Sequence, residues 1–235
     1  MELVAISDVI KKGRIVPIEF YKSDCRRIRV ALAFGYFKAV LPSKKIPEYI
    51  KIAQDLCSKF RASPLGIKPF GVDYMYYKGE KKNVIIGLTN KLGSLYFSFK
   101  NNASYDRFIN KEAREYFSQR VELWKKVMNI DHEFKIRVSD AIGNMGSNSR
   151  RTSTLSFNRQ LLSFSPHIVD AIIVHELAHY FQANHSDKFY KIVYQNLPDY
   201  DKLEMYIREG NFNGEMQWLK KLLQNLTNFT NILKN

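Results

Sequence analysis

Hydrophobic and polar positions change their period partway along this chain. The first hundred residues carry short runs rich in β-branched and aromatic residues, "RIVPIEFY" (14–21), "RRIRVAL" (26–32) and "YFKAVLP" (36–42), which predict strands. "FG" at 34–35 offers a turn between the last two. "SKKIPEYIKIAQDLCSKF" (43–60) shifts to helical spacing, with Ile50, Ala53, Leu56, Cys57 and Phe60 on one side. Three more strand-like runs, "GVDYMYY", "NVIIGLT" and "SLYFSF", follow across the turn sequences "KGEKK" and "NKLG". From residue 101 the period becomes helical. Phe108, Ala113, Phe117, Val121, Trp124 and Val127/Met128 form a stripe with charges opposite. "EFKIRVS" (133–139) and "STLSFN" (153–158) predict two further strands joined by the polar loop "DAIGNMGSNSRRT". A helix is predicted over 165–184, capped by Ser165 with Pro166 in its first turn, and another from Ser186 through "DKFYKIVYQNL".

The pattern predicts an α+β protein: a β-rich N-terminal part (1–102), then a helix-rich domain (103–212). A helical extension (213–235) follows, with Met216, Leu219, Leu222, Leu223 and Leu226 at helical spacing. With 45% hydrophobic and 14% aromatic residues, the chain is rich enough in apolar side chains to fold around a core rather than remain disordered. No apolar run approaches the roughly 20 residues that span a bilayer. The N-terminal stretch lacks the order of a secretory signal, so a cytoplasmic protein with no membrane partner is expected. Cys25 and Cys57 stand apart from each other and from the histidines, and read as free thiols. The net charge of +14 would attract nucleic acid or nucleotides, but the lysines are scattered along the whole chain. Solvated charge is the better reading, with nucleic acid the lesser one.

The chemistry concentrates in "VHELAHYFQANHSDKF" (174–189), which holds three of the five histidines. His175 and His179, four residues apart, project from one face of a helix, so both imidazoles can reach a single Zn²⁺. Glu176 is turned aside by about 100° and can hydrogen-bond a water on the metal without ligating it. His185 can serve as a third ligand only if the helix ends first. Asn184, a residue that tolerates the left-handed conformation, and Ser186, a helix starter, bracket it for that purpose. Three protein ligands with one open position is the arrangement of a catalytic zinc, one per chain; a structural zinc is closed by four. Histidines satisfied in the core of a buried helix are the bland alternative, but two histidines and a glutamate at metal spacing would be costly to bury with nothing to bind. His132 and His167 read as surface or capping residues.

This stretch resembles the YgjP-like (DUF45-type, WLM-related) metallopeptidase family, whose members carry HELxH, then "NHS" with the third ligand, then an aromatic residue. The matching positions are His175, Glu176, Leu177, His179, Asn184, His185, Ser186 and Phe189. Upstream, "TLSFNRQL" is similar to the family's Asn-containing strand, with Asn158 and Leu161 in place. The likeness runs over most of residues 14–209 and is specific over 158–189. It implies a zincin-like zinc metallopeptidase acting on a peptide or protein, with Glu176 as general base. Nucleoside triphosphate pyrophosphatase activity, also assigned to family members, stands as the alternative, with a nucleotide as its substrate. A basic, zinc-stapled binding protein without catalysis is the third reading. One departure stands out: where the family has "RWGSC", this chain has "NMGSN", with Asn144, Met145 and Asn148 replacing Arg, Trp and Cys. Altering that loop is expected to change the cleft wall and substrate preference rather than metal binding. Asn158, Ser147 and Tyr180 are the candidate substrate-binding residues, by position only.

Overall fold

The computed structural model describes residues 2–11, 13–33, 35–61, 68–71, 73–140 and 144–214. It is α+β, as the pattern predicts. The first sheet holds β1 (Glu2–Lys11), β2 (Arg14–Ser23), β3 (Arg29–Ala33) and β4 (Tyr36–Pro42) in the order β1-β2-β4-β3. β2 and β4 run parallel, pairing Ile18 with Phe37 and Phe20 with Ala39. Helix α1 (Ile46–Lys59) covers one face with Ala53 and Cys57, closing a small core with Val16, Ile18, Phe20, Phe37 and Leu41. Cys57 is buried and its thiol is pushed up to about 11 by desolvation; Cys25 is half-buried, and both are free.

A second sheet, ordered β5-β6-β8-β7, comprises β5 (Tyr74–Tyr77), β6 (Glu80–Ile86), β7 (Lys91–Leu92) and β8 (Tyr96–Phe99). Its inner residues Met75, Val84, Phe97 and Phe99 join a different and larger core. There they meet the buried stripe of α2 (Asn102–Val127): Ile109, Ala113, Phe117, Val121 and Trp124. A capping box fixes the start of α2, with the Asn101 side chain accepting from Ser104 N–H and Ser104 Oγ accepting from Asn101 N–H. Apolar contacts therefore join β5–β8 to the helical half, while β1–β4 and α1 keep a core of their own. Charged groups bridge the two. Glu19 pairs with Lys68, and Asp140 with both Lys38 and Arg159, around a cavity of about 320 Å³.

The third sheet is β10-β11-β9, from β9 (Lys135–Ser139), β10 (Gly146–Ser149) and β11 (Thr154–Asn158). β11 lies parallel to β9 and antiparallel to β10, which leaves β10 on the edge. Leu155 and Phe157 of β11 are fully buried toward the helices. Helix α3 (Pro166–Ala178) packs against β10, α2 and α5 (Tyr200–Glu209), and α4 (Asp187–Asn196) precedes α5.

The structure departs from the sequence expectations at several points. The loop predicted between the last two strands contains β10, a strand of Gly, Ser and Asn that exists because β11 offers it a pairing edge. β7 lies within the "NKLG" turn, and β1 and α5 form where the pattern predicts no element. The helix predicted to reach residue 184 ends at Ala178. Asn184 is not in the left-handed region; the turns at 179–181 end the helix instead. Ser186 does sit at the N-cap of α4, but its hydroxyl makes no capping bond. The helix expected over 213–233 falls almost entirely outside the described residues.

Candidate metal centre

Helix α3 is apolar nearly all round, as a helix wedged between a sheet and other helices must be. Ile168, Val169, Ala171, Ile173, Val174, Leu177 and Ala178 are all buried on it. Its last turn carries His175 and Glu176, and His179 is the residue on which the helix stops. Because the helix ends there, the chain doubles back over residues 180–186 and returns His185 to the same point. The three histidines offer ligand atoms that all lie within 4.8 Å of one another, and His175 Nε2 and His185 Nε2 are 3.0 Å apart. Ligands on a tetrahedral zinc at 2.0–2.1 Å stand about 3.3 Å apart, so the cluster is close to what such an ion needs.

Two of the other ring nitrogens have partners. His179 Nδ1 is 3.1 Å from the Gln182 carbonyl, an acceptor, so this nitrogen carries the proton and Nε2 is left as the free donor pair. His175 Nδ1 is 2.9 Å from the hydroxyl of Tyr200, the first residue of α5 and 4% exposed. Phe189 of α4 touches all three imidazoles, with ring centroids 4.6–4.9 Å away, and walls the cluster from below. Burial, with the neighbouring His179 and His185 adding to it, drops the His175 imidazole to about 4; burial also lowers His179. Neutral imidazoles are the form that ligates. The donor set and its convergence fit a divalent metal.

Glu176 lies beside the cluster, 6% exposed, and burial raises its carboxyl to about 8. A cation held by the histidines would oppose that rise by favouring the carboxylate. Strand β10 passes directly over it. A Cβ added to Gly146 would come within 2.6 Å of Glu176 Oε1 and 2.7 Å of Ile172 Cγ2, so only glycine lets the strand run this close to the helix. Two residues on, Asn148 Nδ2 donates to the Glu176 carbonyl at 2.7 Å, clamping β10 to the end of α3. Alternation along the strand puts Gly146 and Asn148 on the α3 side.

The three residues expected to contact substrate fare differently. Ser147, between Gly146 and Asn148, lies on the face away from α3, so its side chain does not face Glu176. Asn158 is 2% exposed and turned inward: its amide accepts from Gln160 N–H at 3.0 Å and donates to the Asn144 carbonyl at 3.3 Å. It holds the loop that leads into β10. Tyr180, next to His179, is 39% exposed at the rim. His167 pairs with Asp199 at the surface, and His132 bonds Ser153 Oγ at 3.0 Å. Sequence reasoning does not find Tyr200; it lies 25 residues beyond its imidazole, and no sequence spacing announces it.

A buried helix presenting converging imidazoles and one carboxyl at the edge of a sheet defines a metallohydrolase. The comparison with known families agrees. The YgjP-like metallopeptidase domain matches residues 81–209, more than half of the chain, and the chain belongs to that family. Among curated proteins, none matches. Of solved structures, the chain is similar to the metallopeptidase zymogen jannalysin of Methanocaldococcus jannaschii, at 25% identity and TM-score 0.36, covering 39% of this chain and 92% of that one. It is also similar to the zymogen abylysin of Pyrococcus abyssi, at 21% identity and TM-score 0.37, covering 39% and 90%. No helix among the described residues is long and apolar enough to cross a membrane.

Proposed function

We propose that the protein is a zinc-dependent peptidase, with His175, His179 and His185 holding one zinc ion and Glu176 acting as general base. The observation that carries it is the convergence of three imidazoles on one point beside a buried carboxyl that none of them uses. When bound, zinc supplies Lewis acidity that polarises a carbonyl and makes water a nucleophile near neutral pH. The Glu176 carboxylate takes the proton from the attacking water and returns it to the departing amine. The Gln182 carbonyl holds His179 in the ligating tautomer, and the Tyr200 hydroxyl anchors the ring of His175. The outer edge of β10, unpaired among the described residues, can accept an extended peptide as an added strand. Gly146 brings that edge close to Glu176.

The pyrophosphatase reading is weaker. Among the described residues the one cluster suited to a metal is the three histidines, and no carboxylate cluster of the kind that holds Mg²⁺ accompanies it. A zinc that merely stapled the fold would leave the buried Glu176 without a use. Metal analysis, followed by a screen of unfolded peptides beside nucleoside triphosphates, separates these readings. About one zinc per chain with peptide cleavage supports the proposal; hydrolysis of triphosphates alone, or no metal, ends it.

Tyr200→Phe tests the support of the site. It should weaken zinc binding by about 10- to 100-fold, the usual cost of losing a ligand's hydrogen-bond partner, while the melting temperature of the metal-free protein falls only slightly. Titration with a chromogenic zinc chelator reads the first effect and calorimetry the second. Unchanged affinity would mean that Tyr200 does not orient His175.

A further inference from the structure

Beside the metal centre, on the β10 side, is a hollow of about 200 Å³ lined by His132, Phe134, Asn148, Arg150, Ser153 and Tyr180. We propose that this hollow is a specificity subsite that takes one aromatic side chain of the substrate, adjacent to the bond cleaved. The proposal deepens the peptidase reading and rests on it.

Two links tie the hollow to the chemistry. Asn148 joins it to α3 through the Glu176 carbonyl, and Tyr180 directly follows His179. A peptide laid along β10 with its scissile bond at Glu176 must send a neighbouring side chain toward the Ser149 end of the strand, where the hollow opens. Its size suits one side chain. Sites for whole small molecules run from about 300 to 1,000 Å³, so a nucleotide is too large for it.

Its walls indicate which side chain. His132, Phe134 and Tyr180 form a ring cage: His132 to Phe134 is 4.7 Å between centroids at 69°, His132 to Tyr180 5.6 Å at 35°, and Phe134 to Tyr180 6.3 Å at 84°. The cage is fixed in advance, because Ser153 Oγ holds the His132 ring at 3.0 Å. A fourth ring can add edge-to-face or offset contacts to these without rearranging them. Arg150 is exposed at the rim, and guanidinium planes stack on aromatic faces.

The test compares unfolded peptides that differ at a single position, carrying Phe or Tyr, Leu, Ala or Glu, with cleavage sites mapped by mass spectrometry and kcat/KM measured for each. Cleavage next to Phe or Tyr is expected to exceed cleavage next to Ala by about 10- to 100-fold, the range one apolar pocket achieves. In Tyr180→Ala that ratio should fall toward one, whereas Tyr180→Phe, which keeps the ring, should retain it. Binding of the same peptides to the inactive Glu176→Gln protein, read by calorimetry, should show the same order. Wild-type cleavage indifferent to the varied position, or a preference for Glu set by Arg150, overturns the subsite and leaves the peptidase reading standing. Failure to cleave any peptide removes both.

Discussion

Glu176→Gln is expected to bind zinc as wild type does and to hydrolyse unfolded peptides about 10²- to 10⁴-fold more slowly, the contribution of a positioned general base. The side chains are nearly isosteric, and shape matters here because Gly146 leaves no slack above the carboxyl. Glutamine cannot take the proton from the attacking water, so the loss should fall on kcat. Glu176 is not a ligand in this arrangement, so the metal content should remain near one per chain. Metal analysis beside peptide kinetics checks both parts. A variant as fast as wild type would show that another group is the base; a variant that lost its metal would show that Glu176 belongs to the ligand set.

The largest expected loss of stability comes from the ion pair that joins α2 to α3. Arg120 grips Asp170 with two nitrogens, Nε to Oδ1 at 2.8 Å and Nη2 to Oδ2. The two ends are unequal. The Asp170 side chain is 4% exposed, while that of Arg120 is 23% exposed. Removing one partner of a buried pair costs about 3–5 kcal/mol because the other is left charged and dry. Arg120→Leu strands the buried carboxylate and should reach that range. Asp170→Leu strands a guanidinium that can still find water, and should cost less. Urea unfolding of both variants and of the double variant reads the difference. The double variant should be more stable than Arg120→Leu; if the two single losses are equal and additive, the pair is not coupled as described.

How much of this is legible in the sequence depends on what kind of signal each element leaves. His175 and His179 can be read because helical spacing is a local rule. His185 can be read because histidine is rare in this chain and a third one follows close behind the first two. The frame around them is harder. β10 has no β-branched residue; it is a strand through its partner β11, and its glycine is explained only by a carboxyl thirty residues away. β1 is hidden because it is an edge strand, with Ile6 and Ile10 facing solvent at 63% and 75% exposure, which blurs the alternation. The end of α3 falls well before the expected stop at Asn184, because the turns at 179–181 owe nothing to that residue. The fold class and the histidine cluster are local information. The clamp by Asn148, the support by Tyr200 and the ring cage are long-range contacts, and the residue types involved are ordinary one by one.

The division between the two apolar cores bears on how the molecule can be cut. The family match begins at residue 81, inside β6, yet β6 pairs with β5 and both help to fill the core that α2 and α3 complete. A shortened version begun at residue 81 would discard β5, expose Val84 and Phe97, and leave a raw sheet edge prone to self-association. Begun just before Lys68, it would keep the whole second sheet and give up only a neighbour held largely by charges. The smallest piece worth expressing is therefore set by the packing of Met75 rather than by the borders of the family resemblance.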